Sequence, residues 1–222
     1  MHDLAQQIVS GLATGSIFAS MALALVLIYR AMGIINFAQG ELAMFTTYIA
    51  WQLSQTGMPL WAAFAIAIAI AFVGGVLLER VVIRPVEGAP PLTVVIVTLG
   101  LFTAFNGLAG GIWGFIVKPF PSPFPNTPLQ IAGVAFSAQD VGVIVVSVIT
   151  LGLISVFFQK TKLGLAMRAA ALYPEQSRVL GIRVGWMLAL GWGLAAAVGA
   201  ISGVMIAPVV FLDPNMMQSV LV

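Results

Sequence analysis

The chain has no cysteine, and its single histidine is His2. Disulfide staples and thiolate chemistry are therefore excluded, and no cluster of histidines can hold a metal. Charge is also scarce: 7% of residues are Asp, Glu, Lys or Arg, against 61% hydrophobic. A water-soluble domain needs many more charges to cover its surface. A phosphate loop is missing, since the residue before Lys160-Thr161 is Gln159 rather than glycine, and no nucleophile elbow or metal-ligand spacing occurs. The net charge of +2 forms no nucleic-acid footprint. No cofactor, metal or nucleic acid is expected, and the chain is not read as an enzyme.

What is present is a series of long apolar runs. Six candidate spans fall at roughly 8–28, 34–54, 60–79, 92–113, 140–158 and 186–207, each about 20 residues long. They leave almost no chain for a soluble part. The expected fold is an all-α polytopic membrane protein of about six transmembrane helices, forming one transmembrane domain over 1–222. The positive charges are distributed unevenly. Arg30, Arg80, Arg84, Lys160, Lys162, Arg168, Arg178 and Arg183 lie in alternate gaps, and only Lys118 lies in a gap of the other parity. Positive charge marks the cytoplasmic side. The gaps after the first, third and fifth spans therefore face inward, and the N-terminus is external. The leader Met1 to Gln7 lacks Lys and Arg, so the first span is read as a retained helix rather than a signal peptide. The sixth span is expected to end at Pro208. The apolar stretch from Phe211 to Val222 is read as the start of a seventh span, cut short.

Small residues recur four apart, at Gly11, Gly15 and Ala19 and at Gly191, Ala195, Gly199 and Gly203. That spacing puts them on one helix face, where another helix can approach closely. Trp51, Trp61, Trp113 and Trp186 fall near span ends, as in an aromatic belt. The external gap 114–139 carries Pro119, Pro121, Pro123, Pro125 and Pro128. These favour an extended path, with a short strand or interfacial segment at Ile131 to Phe136. Such a loop serves either as a docking surface for an external partner or as a plain connector.

Two segments stand out chemically. The first is Gly33-Ile34-Ile35-Asn36-Phe37-Ala38-Gln39-Gly40-Glu41. A charge inside a span costs at least ~2.5 kcal/mol on insertion scales, so it faces protein or a watery path. On a continuous helix Glu41 lies roughly 16 Å from Arg30, near mid-bilayer. Asn36, Gln39 and Gly40 share one side, with Glu41 pointing away from Asn36. Gly33 and Gly40 can loosen the helix, as where backbone lines a cavity. Two readings fit, and they are compatible: Asn36, Gln39, Gly40 and Glu41 line a translocation path, or they tie neighbouring helices by buried hydrogen bonds. The second segment is the inner gap 159–185. Leu163 to Leu172 reads as a short helix, Pro174 and Glu175 as the first turn of another, and Gly181 as its end. Two surface helices offering apolar side chains suit a groove on another protein; a basic, lipid-facing loop is the alternative.

The order Gly33 to Glu41 resembles the second-helix signature of permease subunits of branched-chain amino-acid ABC transporters, with Gln39 where that family usually has histidine. Lys162 to Arg168 also fits the family pattern. Arg168, Ala169 and Ala171, followed by Leu180, Gly181 and Ile182, resemble its cytoplasmic coupling loop. The resemblance runs the length of the chain. It implies a bacterial or archaeal inner or plasma membrane permease, a piece of a bundle of about eight helices. Its implied partners are a homologous second permease, two cytoplasmic ATP-binding subunits that hydrolyse ATP, and an external solute-binding protein. Arg168 to Ile182, including Glu175, would carry the coupling. Related permeases move urea or short amides, and residue types do not separate these substrates. A stand-alone secondary transporter would need intramembrane carboxylates in more than one helix. A scaffold subunit would leave Glu41 without a purpose.

Overall fold

The computed structural model describes residues 2–32, 35–125, 129–131 and 134–218. Eight helices follow one another: α1 (His2–Met32), α2 (Gln39–Gln55), α3 (Leu60–Leu78), α4 (Pro91–Trp113), α5 (Ala138–Lys160), α6 (Lys162–Leu172), α7 (Pro174–Val179) and α8 (Val184–Val210). One short antiparallel hairpin interrupts them, with β1 (Leu129–Ile131) paired to β2 (Val134–Phe136) in the register Leu129 to Phe136 and Ile131 to Val134. It sits in the proline-rich loop, where a short strand was expected. Gly33, Ile34 and Pro128 lie outside the described residues.

The punctuation residues act as their chemistry dictates. Pro59 precedes α3 and its carbonyl accepts from Ala62 N at 2.9 Å. Pro91 opens α4, where its missing N–H costs nothing. Thr161 caps α6, its hydroxyl accepting from Gly164 N at 2.9 Å. Pro174 opens α7, and Gly181, at φ 81°, turns the chain towards α8.

Five of the six expected spans, α1, α3, α4, α5 and α8, are long and apolar enough to cross a bilayer. The run at 34–54 is different. Residues 35–38 are not helical, and α2 is a 17-residue helix beginning only at Gln39. The continuous helix that placed Glu41 relative to Arg30 therefore does not exist. The sixth span also runs past its expected end, since α8 continues through Pro208 to Val210. Of the segment expected to open a seventh span, residues 211–217 form a bridge and a turn, and 219–222 lie outside the described residues. Lys118 and Leu212 exchange backbone hydrogen bonds of 2.9 and 3.0 Å, and Met216 and Met217 turn back into the core.

α8 is the central pillar. Of its most apolar stretch 67% is buried, against 33% or less in the other four spans, and α1, α2 and α3 pack around it. In lipid, helices gain little from the hydrophobic effect and associate by close packing of small residues. Gly75 of α3 faces Gly193 and Trp192 of α8. Ala195 is fully buried, Gly199 meets Gln39, and Gly203 meets Thr47 and Ala43. Gly191 has only the Met167 methyl nearby, at 3.7 Å from where a Cβ would stand. The small face of α8 thus packs against α2 and α6. The small face of α1 meets no other element among the described residues. Gly11 and Gly15 are exposed, with nothing within 4 Å of an added Cβ. The face that packs is instead Ala13, Ile17, Ser20, Met21, Ala24 and Ile28. Spacing of four selects a helix face, but larger side chains fill the contact here.

Candidate functional site

α2 begins inside the protein. Ahead of it, Asn36 folds back on its own backbone: Ala38 N donates to Asn36 Oδ1 at 3.0 Å, and Gln39 N donates to Asn36 O at 3.2 Å. This Asx turn satisfies donors that a buried helix start would leave orphaned. The Gln39 carboxamide then crosses to α8, donating to Ala195 O at 2.9 Å, near the middle of that helix. Asn36 Nδ2 donates to Gln39 Oε1 at 3.4 Å. Asn36, Gln39 and Glu41 are all at most 1% exposed. Asn36 was expected on the face of a helix; it lies instead in the turn that starts one.

Glu41 occupies the first turn of α2, where the helix dipole favours a carboxylate. It turns away from α8 towards α4. Asn106 Nδ2 donates to Glu41 Oε2 at 3.4 Å, more closely to Pro214 O at 2.9 Å, and to Asn215 Oδ1 at 3.3 Å. Gln218 Nε2 in turn donates to Asn215 Oδ1 at 3.1 Å. Glu41, Asn106, Asn215 and Gln218 thus form one polar knot joining α2, α4 and the segment after α8. Among the four residues singled out from sequence, Asn36 and Gln39 come together against α8. Glu41 is separate from them, and Gly40 is buried between. The cavities of about 340, 720 and 120 Å³ are lined by other residues.

Sequence reading missed Asn106, although it is the only carboxamide in α4 and that signal was visible. Asn215 and Gln218 carried no such signal, because only the return of the chain after α8 brings them to Glu41.

The loop between α5 and α8 has its own architecture. α6 docks on the start of α8 through Ala170, Val184 and Leu188. Gly164 lies so close to Phe157 O and Phe158 Cα that a Cβ would clash with backbone. Ala169, Ala171 and Ile182 are half-buried, while Arg168, Glu175 and Gly181 are exposed. Val179 (87% exposed) and Leu180 (80%) project outward at the end of α7, with Leu172 and Tyr173 beside them. Arg178 pairs with Glu175 at 2.7 Å; so exposed a pair contributes about 0.2–1 kcal/mol.

A further brace, also unforeseen, lies between the loop and α3. After Leu78 the helix widens into a π-helical turn, Glu79–Ile83, and tightens into a 3-10 turn, Arg84–Val86. Such turns re-aim side chains. Glu79, 1% exposed, receives Arg84 at 3.0 Å, and the same guanidinium donates to Gly185 O at 2.6 Å. Arg80 lies over the Trp186 ring, 3.3 Å from its centroid, a cation–π contact. The C-terminal end of α3 thereby grips the first residues of α8. Two other tryptophans at span ends also engage protein groups: Trp113 stacks on Tyr48 at 4.9 Å, and Lys118 lies 5.1 Å from the Trp51 ring centroid.

Comparison with known proteins agrees with these features. A family model described as the permease component of the branched-chain amino acid transport system matches residues 7–220. Among curated relatives, the high-affinity branched-chain amino acid transport system permease protein BraD of Pseudomonas aeruginosa is 28% identical over 219 residues, covering 93% of this chain and 71% of that protein. LivH of Escherichia coli, of the same description, is 28% identical over 214 residues, covering 90% and 70%. A probable branched-chain amino acid transport permease protein LivH of Methanocaldococcus jannaschii is 23% identical over 214 residues, covering 91% and 67%. No solved structure matches the chain. With five bilayer-length helices, a buried polar start to α2 and a two-helix loop before α8, the chain belongs to the family of branched-chain amino acid transport system permease components.

Proposed function

We propose that the chain forms the translocation path of an ATP-driven importer for branched-chain or related hydrophobic amino acids. The observation that carries this is the family match over 7–220. ATPase and solute-binding partners follow from the family in general. We further infer a homologous second permease and two ATPase subunits, with α6 and α7 inside the cell and the N-terminus outside. The outward Leu172, Tyr173, Val179 and Leu180 suit insertion into a groove on an ATPase. Their rigid attachment to α8, and the brace from α8 to α3, support a lever that passes ATPase closure to the bundle. α8 would carry that movement to Ala195, which receives Gln39. Asn36, Gln39, Gly40 and Glu41 are assigned to the path, with the Glu41 knot as the barrier that must open. Urea and short amides remain the second substrate class to test, although the relatives above are all named for branched-chain amino acids.

The test is reconstitution of the chain with candidate ATPases and binding protein in liposomes. Leucine, isoleucine or valine should stimulate ATP hydrolysis and accumulate. Urea-stimulated hydrolysis instead would replace the substrate, and uptake driven by a proton gradient without any ATPase would overturn the reading.

Two predictions arise here. Replacing both Arg168 and Glu175 by alanine should lower substrate uptake about tenfold or more while ATP hydrolysis continues. Loss of the exposed Glu175–Arg178 pair is too small to unfold the loop, so an unchanged ratio of uptake to hydrolysis would remove both residues from coupling. Separately, Leu180→Cys should react with a membrane-impermeant maleimide only after cells are opened. Modification in intact cells would invert the threading.

A further inference from the structure

The largest cavity described, about 720 Å³, opens between α1, α5, α6 and α8. Its two ends differ. Leu23 and Leu151 line one end, while Arg30 and Gln159, at the C-terminal ends of α1 and α5, line the other with Arg168 of α6. From Leu23 to Arg30 the groove follows α1 for roughly 10 Å, about a third of the hydrocarbon thickness. No Asp or Glu lines it. Among the described residues, neither Arg30 nor Arg168 has a carboxylate within ion-pair distance; the arginines that do are Arg84 and Arg178. A zwitterionic amino acid needs an acidic as well as a basic partner, so this groove is a poor site for the transported solute. It fits an anion carrying a long apolar tail.

We propose that the groove binds one anionic phospholipid of the inner leaflet. Its phosphate sits between Arg30 and Arg168, with Gln159 as an added hydrogen-bond donor. The upper part of one acyl chain lies along Leu23, Leu27 and Ile154. Basic residues at the headgroup level attract anionic lipid, and the volume lies within the ordinary range for small-ligand sites. Because α6 forms one wall through Met167, Arg168 and Ala171, the lipid bridges the inner loop to α1 and α5. The inference is independent of what the chain transports and rests on Arg30 and Arg168 lying at headgroup depth.

Native mass spectrometry of the delipidated, purified chain tests it, with phosphatidylglycerol and phosphatidylcholine of identical acyl chains as probes. One phosphatidylglycerol should bind about 10- to 30-fold more tightly than phosphatidylcholine. Arg30→Gln with Arg168→Gln should abolish the difference, and Arg30→Gln alone should reduce it. Leu27→Trp, which fills the groove, should weaken both lipids. Glycerophosphoglycerol, the headgroup without tails, should not bind; if it binds as well as the lipid, the site is a plain anion site and the proposal fails. Equal affinity for both lipids, or an unchanged preference in the double variant, overturns it. So does a photoreactive residue at Leu151 that crosslinks in membranes to a protein rather than to lipid, because a second permease would then occupy the groove.

Discussion

Gly75→Leu should leave little or no correctly packed protein in the membrane. A Cβ at this position would stand 2.6 Å from Trp192 O, 2.8 Å from Ala196 Cβ and 3.0 Å from Gly193 Cα. Two of the three are backbone atoms, so no rotamer change relieves the contact, and α3 must move away from α8. That separation also breaks the reciprocal fit of Gly193, where a Cβ would meet Val76 Cγ2 at 2.8 Å and Phe72 O at 2.9 Å. Inserting bulk into a packed interior typically costs about 1–3 kcal/mol, and a backbone obstacle places this site at or above the upper end. The loss is severe because close packing is what holds helices together in lipid. The matched control is Gly74→Ala, where nothing lies within 4 Å of the new methyl. Membrane abundance and thermal stability in detergent read the outcome. Equal stability of the two variants would show that α3 and α8 do not depend on this approach.

Glu41→Gln should insert and fold normally yet slow uptake by about 2- to 30-fold. Glutamine keeps the size and can still accept from Asn106, so the knot stays connected. What it removes is the charge. A hydrogen bond to a charged group contributes about 1.5–3 kcal/mol against about 1 for a neutral one, and each 1.4 kcal/mol is tenfold. If the knot is the barrier of the path, its charge acts on a passing zwitterion and the loss appears in uptake kinetics. Asn106→Ala, which removes the donor shared with Pro214 and Asn215, should show the same phenotype with added loss of stability. Unchanged kinetics in Glu41→Gln would reduce Glu41 to a tie between helices, the other role that its burial permits.

These two sites differ in how far they could be read beforehand. Glu41 is visible as the one carboxylate deep in an apolar run, and its neighbour Asn106 is equally visible as a lone carboxamide in α4. Gly75 gives no warning, because Gly74 and Gly75 look alike until α8 is placed beside one of them. The α2 start was misjudged for a related reason. Ile34, Ile35 and Phe37 extend the apolar run, but Asn36 ends it locally by bonding Ala38 N. The Gly11 and Gly15 spacing signals a packing face as plainly as the Gly199 and Gly203 spacing does, yet among the described residues only the latter meets another helix.

Hydrophobic run length and the placement of Lys and Arg act through the bilayer itself, a solvent that each segment meets independently. The all-α membrane fold, most of its spans and the two short helices after α5 were therefore determined by sequence alone. Which small face packs, where α2 begins, and which polar groups surround Glu41 depend on contacts between residues distant along the chain. Ala195 and Gln39 meet only because α8 crosses α2, and Asn215 reaches Asn106 only because the chain turns back after Val210. Close packing and buried hydrogen bonds are pairwise, so tertiary structure alone decided them.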